Sequence, residues 1–114
     1  MPVLKIQTNV EISSGARTDL LKKASTRVAQ ILGKPERYVM VMIEPNPHML
    51  FAGEGSSLAY LELKSIGLPG DRTSELSDAL SSLINDQLAI PQDRIYIEFA
   101  NAERHMWGWS GSTF

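Results

Sequence analysis

The chain has 114 residues and a mass of 12.6 kDa, with 43% hydrophobic and 21% charged residues. A net charge of -2 offers no basic surface for nucleic acid, and no apolar run reaches the roughly 18 residues that span a bilayer. The absence of cysteine excludes disulfides, thiolate metal sites and thiol redox chemistry. We therefore expect one globular, cytoplasmic domain over residues 1–114, binding neither nucleic acid nor membrane, with export without a signal peptide left open.

The first element is a predicted strand that begins directly after a proline. The chain starts MPVLKIQTNV, and apolar residues alternate through VLKIQTNV in the manner of a strand. Methionine is normally removed ahead of a small residue, and proline qualifies. Removal of Met1 would leave the secondary amine of Pro2 as the N-terminus. That amine is a candidate base.

The middle of the chain contains an internal repeat, in which residues 17–43 match residues 73–99. Apolar residues at a spacing of four recur in both copies: Leu20, Ala24, Val28 and Leu32 match Leu76, Leu80, Ile84 and Leu88. This spacing predicts one amphipathic helix of about four turns in each copy. Thr18 is the predicted N-cap of the first helix and Gly33 its C-terminal glycine, while Thr73 or Ser74 is expected to cap the second.

Each predicted helix lies between two predicted strands. The strands that precede the helices are VLKIQTNV and LAYLELKSI, and those that follow are YVMVMIE and RIYIEF. Two β-α-β units, about residues 1–57 and 58–114, with right-handed crossovers most simply form one four-stranded sheet with both helices on one face. The predicted fold class is therefore α/β, an α+β sandwich with pseudo-twofold symmetry.

Two features predict self-association. Residues 39–43 are apolar at every position, which predicts that both faces of the sheet are buried, although two helices cover only one. We expect another copy of the chain to cover the second face, in a closed ring. In residues 100–114, Gly108 and Gly111 disfavour a long helix, so short strands or turns at a subunit boundary are expected there.

Five short motifs follow one another along the chain: TNV at 8–10, GKP at 33–35, SIG at 65–67, DRIYI at 93–97 and GWSGSTF at 108–114. Together they resemble the macrophage migration inhibitory factor and D-dopachrome tautomerase family of the tautomerase superfamily, over essentially the whole chain. The resemblance implies a homotrimer whose sheets surround a central channel, with active sites between adjacent subunits and no cofactor.

The resemblance also implies an activity and its residues. The reaction would be keto–enol tautomerisation of small aromatic keto or enol acids, such as phenylpyruvate- or dopachrome-type compounds. Pro2 would be the catalytic base, assisted by Lys34. The implied substrate-binding residues are Tyr38, Lys64, Ser65, Ile66, Tyr96, Glu98, Trp107, Trp109 and Phe114. Of these, Tyr96 and Glu98 would reach in from the neighbouring subunit.

Elementary chemistry is compatible with this assignment. A general base works best when its pKa lies near the working pH, and proline's free amine is intrinsically more basic than that. Apolar burial and nearby cations both lower the pKa of an amine, and Lys34 and Lys64 supply cations. The same lysines can hold a substrate carboxylate or enolate oxygen, and the backbone N–H of Ile66 can donate to developing negative charge.

The sequence departs from vertebrate members of the family at several positions. Leu58 and Leu61 occupy the positions of their Cys-x-x-Cys pair, which excludes a thiol oxidoreductase activity. Glu98 stands where asparagine is common, and its carboxylate would repel an anionic substrate or raise the pKa of the proline. Trp107 replaces a smaller aliphatic residue, and Lys64 replaces a histidine.

Two positions implicated in receptor contact in vertebrate members are Ile12 and Asn46 here, so both charges of that contact are lost. A cytokine-like binding protein with weak or incidental catalysis nevertheless remains the alternative function. Hydration or dehalogenation is a third, although matching arginine pairs are not evident. His48 and His105 are isolated, so we expect no metal site.

Without the resemblance, the same residues have simpler structural interpretations. Lys34 would be a solvated charge near a helix C-terminus, where it favours the helix dipole. Tyr96 would pack on a strand, and Trp107 and Trp109 would anchor the tail at an interface. If Met1 is retained, the nitrogen of Pro2 is a tertiary amide without a basic lone pair, and the proposed base is absent.

Overall fold

The computed structural model describes every residue from Met1 to Phe114. Its helices and main strands are β1 (Val3–Thr8), α1 (Ser14–Leu32), β2 (Met40–Pro45), β3 (Ala59–Ile66), α2 (Thr73–Leu88) and β4 (Ile95–Ala102), followed by the short strands β5 (Gly108–Trp109) and β6 (Ser112–Thr113). The predicted order of strand, helix and strand is confirmed in each half. No helix is both long enough and apolar enough to cross a membrane.

The four long strands form one sheet in the order β2-β1-β3-β4. The outer pairs, β1 with β2 and β3 with β4, are parallel, as strands joined by a helical crossover must be. The two central strands are antiparallel, with Leu4 opposite Leu63 and Ile6 opposite Leu61. The N-terminal strand therefore lies in the middle of the sheet, and its first residues have neighbours on both sides.

A single hydrophobic core joins the sheet to both helices, which places both helices on one face as predicted. The repeated apolar positions form the helical side of this core: Leu20, Ala24, Val28, Leu76, Leu80 and Ile84 are all completely buried. The strands contribute Leu4, Ile6, Leu61 and Leu63, each also completely buried. Alternation on β1 and β3 thus sends every second residue to the core and the others to the opposite face.

The predicted N-cap residues are wrong. Helix α1 begins four residues before Thr18, and the hydroxyl of Ser13 accepts the capping hydrogen bond from the backbone N–H of Ala16 at 3.3 Å. Thr18 instead donates to the carbonyl of Ser14 from within the helix. The first turn is wholly exposed, so it carries no apolar periodicity that would reveal it. Gly33 is confirmed as the C-terminal glycine, with φ of 62°.

Helix α2 has no side-chain cap. It begins at Thr73, and a short 3-10 turn, Gly70–Arg72, leads directly into it. The 3-10 turn therefore continues directly into the α-helix. Arg72 occupies the N-cap position, and neither Thr73 nor Ser74 does. The expected short strands and turns are present in the C-terminal tail, because Arg104–Met106 forms one 3-10 turn and β5 and β6 form a small antiparallel hairpin. Their place at a subunit boundary stays a prediction.

The sheet face away from the helices, which we call the open face, is mixed rather than apolar throughout. Three rows in register across the sheet form it: Met40, Val3, Lys64 and Ala100; then Met42, Lys5, Glu62 and Glu98; and then Glu44, Gln7, Tyr60 and Tyr96. The apolar character of β2 describes this face only at its edge, where Met40 and Met42 lie. The expectation of a wholly apolar second face is therefore wrong, and burial of this face against another copy of the chain stays a prediction.

Candidate functional site

The site is built around the N-terminus, which is held firmly in the sheet. Pro2 is completely buried at the start of the central strand β1. Its carbonyl oxygen accepts a hydrogen bond from the N–H of Met40 at 3.0 Å, and the amino nitrogen of Met1 donates to the carbonyl of Tyr38 at 2.7 Å. The N-terminus is thus fixed against the segment that leads into β2 and is not a frayed end.

Lys34 approaches this region from the end of α1. The left-handed conformation of Gly33 ends the helix, and the N–H of Lys34 donates back to Ala29 at 3.0 Å. Its side-chain Nζ donates to the carbonyl of Ile66 at 3.1 Å, at the end of β3. The buried hydroxyl of Ser65 donates to the same carbonyl, also at 3.1 Å. Two donors therefore converge on the backbone oxygen of Ile66.

The electrostatic environment of the N-terminus favours a neutral amine. The pKa of the Met1 amino group is lowered from its ordinary value, first by partial burial and second by the positive charge of Lys34. Both causes act on the amine of Met1, one residue ahead of Pro2. The structure thus supplies the two influences that a basic amine needs to titrate closer to neutrality.

The terminal amine contacts the backbone of Tyr38, whose side chain belongs to an aromatic cluster. The ring of Tyr38 makes edge-to-face contacts with Trp109 at 5.5 Å and with Phe114 at 5.7 Å, and Trp109 stacks on Phe114 at 5.4 Å between ring centroids. The guanidinium of Arg37 covers the Tyr38 ring at 4.8 Å. The N–H of Phe114 donates to the carbonyl of Trp107 at 3.2 Å, which ties the end of the chain to this cluster.

A single chain does not bring the other expected residues to this group. Tyr96 is 66% exposed on the open face, and its ring contacts Phe51 at 4.7 Å. Glu98 lies on the same face of β4, and Lys64, although in register with Val3, forms an ion pair with Glu62 at 3.6 Å. None of the cavities of the single chain is lined by Pro2 or Lys34.

Sequence patterns missed two groups that the structure makes prominent. Tyr60 donates from its hydroxyl to Glu98 at 2.7 Å, a contact that depends on strand register. The guanidinium of Arg94 donates to the carbonyls of Phe51, Glu54, Ser56 and Ser57 at 3.0 to 3.2 Å. The DRIYI motif contains Arg94, but backbone carbonyls in a distant loop leave no signal in side-chain patterns.

The whole chain, residues 1–114, matches the sequence model of the family described as macrophage migration inhibitory factor (MIF). The chain belongs to this family. Among curated relatives, the MIF homolog of Brugia malayi is 40% identical over 115 residues, covering 100% of this chain and 99% of its own, and the MIF of Meriones unguiculatus is 37% identical with the same coverage. Membership also places the chain in the tautomerase superfamily.

Solved structures of MIF homologues have the same fold. The homologue from Prochlorococcus marinus superimposes with a TM-score of 0.91 at 42% identity, over 98% of each chain. The MIF of Trichinella spiralis gives a TM-score of 0.91 at 34% identity, over 98% of this chain and 99% of its own. The resemblance and the four-stranded, two-helix fold predicted from the sequence are both confirmed.

Proposed function

We propose that this MIF-family chain is a cofactor-independent keto–enol tautomerase that uses the amine of Pro2 as its general base once Met1 has been removed. One observation carries the proposal. Pro2 is completely buried at the head of the central strand, and the amine of Met1, one residue away, has a pKa lowered by partial burial and by the charge of Lys34. An N-terminus without a catalytic role would not need a lowered amine pKa.

In the enolisation direction, the neutral amine takes a proton from the carbon next to the substrate carbonyl. The electron pair of that C–H bond forms the C=C bond, and negative charge develops on the carbonyl oxygen. Lys34 is the cation whose charge acts on the terminal amine, and it would stabilise the developing charge by exchanging its hydrogen bond to Ile66 for one to the substrate. Protonation of the oxygen completes the enol, and ketonisation is the same path reversed.

The remaining residues would bind the substrate. Tyr38, Trp109 and Phe114 offer an aromatic wall beside the amine, suited to the ring of a phenylpyruvate- or dopachrome-type compound. Trp107 supports that wall from the tail, while Ser65 fixes the backbone at Ile66.

We propose a homotrimer in which the neighbouring subunit closes the pocket. Tyr96 is exposed and lies away from Pro2 in its own chain, so it is free to reach the Pro2 site of another copy. Glu98, on the same face of β4, would then lie at the edge of that pocket. The positive charge of Lys64 would offset the negative charge of Glu98. A cytoplasmic location, and export without a signal, stay predictions.

A cytokine-like binding role, with weak or incidental catalysis, is the second candidate. The observation that favours it is the carboxylate of Glu98, which would discourage anionic keto acids at a trimeric pocket. The curated relatives are named for macrophage migration inhibition, which is a property of those proteins. This role requires partner binding that survives loss of the Pro2 base.

The ketonisation rate of enol-phenylpyruvate tests the proposal, using protein whose intact mass confirms that Met1 is absent. Replacement Pro2→Gly, which leaves a flexible primary amine, should reduce kcat/KM by about a hundredfold or more. Pro47→Gly is the matched control, because Pro47 is exposed in a loop, and it should retain full activity. Equal rates for Pro2→Gly and the unchanged chain would refute Pro2 as the base.

A further inference from the structure

Two carboxylates of the open face converge on the hydroxyl group of Tyr60. The hydroxyl of Tyr60 lies 2.7 Å from an oxygen of Glu98 and 3.1 Å from an oxygen of Glu62. Glu62 and Glu98 are directly opposite each other on the parallel strands β3 and β4, which sets two carboxylates side by side. Like charges in this arrangement repel unless something is placed between them.

The two carboxylates are compensated differently. Glu62 has cations on both sides, with Lys5 Nζ at 3.8 Å and Lys64 Nζ at 3.6 Å. Glu98 has no cation within ion-pair distance, and the hydroxyl of Tyr60 is its only hydrogen-bond donor. A phenol has one proton to donate, and the shorter distance directs it to Glu98. Tyr60 is thus the one group that restrains the Glu98 side chain.

We propose that Tyr60 is a positioning residue that determines substrate charge selectivity, by holding the carboxylate of Glu98 down on the open face and away from an anionic substrate. The proposal rests on the proposed function, in which Glu98 stands at the edge of the neighbouring subunit's pocket. Without the phenol, Glu98 is repelled by Glu62 and is free to swing outward, where its charge would oppose a bound carboxylate.

The other charged groups of the face do not replace this restraint. Lys5 is shared between Glu44 and Glu62, at 3.9 and 3.8 Å, and Gln7 donates to Glu44 at 2.9 Å. Each of these contacts lies on the β1 side of Glu62. The β4 side, where Glu98 stands, depends on Tyr60.

The test compares an anionic ligand with its neutral counterpart. Benzoylformate and its methyl ester carry no enolisable proton, so their affinities can be measured by calorimetry whether or not the protein is an enzyme. Tyr60→Phe should weaken benzoylformate binding by about fivefold and leave the ester unchanged. Adding Glu98→Gln to Tyr60→Phe should restore the affinity for benzoylformate, because the displaced charge is then gone.

Glu44→Gln is the matched control. It removes another carboxylate of the open face that Tyr60 does not touch, so the ratio of acid to ester affinity should stay constant. An unchanged ratio in Tyr60→Phe, or failure of either ligand to bind the unchanged protein, would overturn the proposal. Failure of the proposed function would give a different result. Enol-phenylpyruvate would not be turned over, although the ratio of acid to ester affinity would still change in Tyr60→Phe.

A spectroscopic measurement checks the contact directly. Hydrogen bonding to Glu98, followed by burial and the contact with Glu62, raises the pKa of Tyr60 above that of an ordinary tyrosine. Ultraviolet titration, with Tyr60→Phe used to assign the signal, should show this pKa falling in Glu98→Gln. A Tyr60 pKa that does not respond to Glu98→Gln would mean that the hydrogen bond is absent in solution, and would also overturn the proposal.

Discussion

Lys34 and Ile66 are joined by a hydrogen bond of 3.1 Å from Nζ to the backbone carbonyl, between the end of α1 and the end of β3. This contact connects the two β-α-β units at the level of the N-terminus. It also fixes the cation that contributes to lowering the pKa of the N-terminal amine. Lys34 therefore acts on the amine through its charge, without touching it.

The first prediction concerns this charge, in protein that retains Met1. Lys34→Met should raise the pKa of the Met1 amine, because it removes the cation that disfavours the protonated form. The pKa should stay below its ordinary value, since burial is the larger cause. Titration of protein carrying ¹³C-labelled methionine would follow the amine by NMR. Lys22→Met, on the exposed side of α1, is the control, and equal pKa values in both variants would contradict the role of Lys34.

The second prediction concerns stability at alkaline pH. The pKa of Tyr60 is raised above 10.0, so the folded state holds the phenol proton more tightly than the unfolded state. Its stabilising contribution is complete below that value and is lost as the pH rises toward the folded-state pKa. Urea unfolding at about pH 8 and about pH 11 should show a larger loss of stability for the unchanged chain than for Tyr60→Phe. Identical losses would argue against the prediction.

The third prediction separates the observed helix cap from the one predicted from sequence. Ser13→Ala should lower the free energy of unfolding by about 1 kcal/mol, because the N–H of Ala16 loses its acceptor. Thr18→Ala should cost little, since Thr18 lies within the exposed first turns and alanine is the better helix former. Chemical denaturation of both variants checks this. A larger loss of unfolding free energy in Thr18→Ala than in Ser13→Ala would contradict Ser13 as the N-cap of α1.

The fourth prediction concerns the loop between β2 and β3. Arg94 binds four carbonyls of this loop and covers the ring of Phe51 at 5.3 Å. Arg94→Lys keeps the charge but loses the planar fork, so it should lower the free energy of unfolding by about 1–3 kcal/mol. Arg27→Lys, on the exposed face of α1, should have no measurable effect. Faster amide exchange confined to residues 51–57 would localise the change, and unaltered exchange there would contradict it.

The sequence predicts local elements well because apolar spacing records which residues enter the core. The first three members of each helix quartet, from Leu20 and from Leu76, are buried as expected, whereas Leu32 and Leu88 at the helix ends are only partly buried. The four strands follow from period-two alternation. The apolar run of β2 is a poor guide to the open face, because β2 is an edge strand. The central strands place charged residues such as Lys5 and Glu62 on that face.

The candidate site could be predicted only in part. Motif resemblance points to Pro2, Lys34 and the aromatic tail, and in one chain the N-terminus feels the charge of Lys34 and contacts Tyr38, which packs on the tail. It could not reveal the contact of Tyr60 with Glu98, because residues 38 positions apart meet only once the register of β3 and β4 is set. The sequence also offers no sign that Tyr38 holds the terminal amine, since that contact uses its backbone carbonyl.

The most direct test of Pro2 as a base compares two forms of the same chain, one retaining Met1 and one from which an aminopeptidase has removed it. Both should have the same oligomeric mass and stay fully folded at the assay temperature, although the processed form lacks the hydrogen bond from Met1 to Tyr38. We predict that ketonisation of enol-phenylpyruvate above the buffer rate occurs only in the processed form, where that nitrogen is a free amine. Equal turnover by both forms would contradict the account, because an amide nitrogen cannot accept the proton.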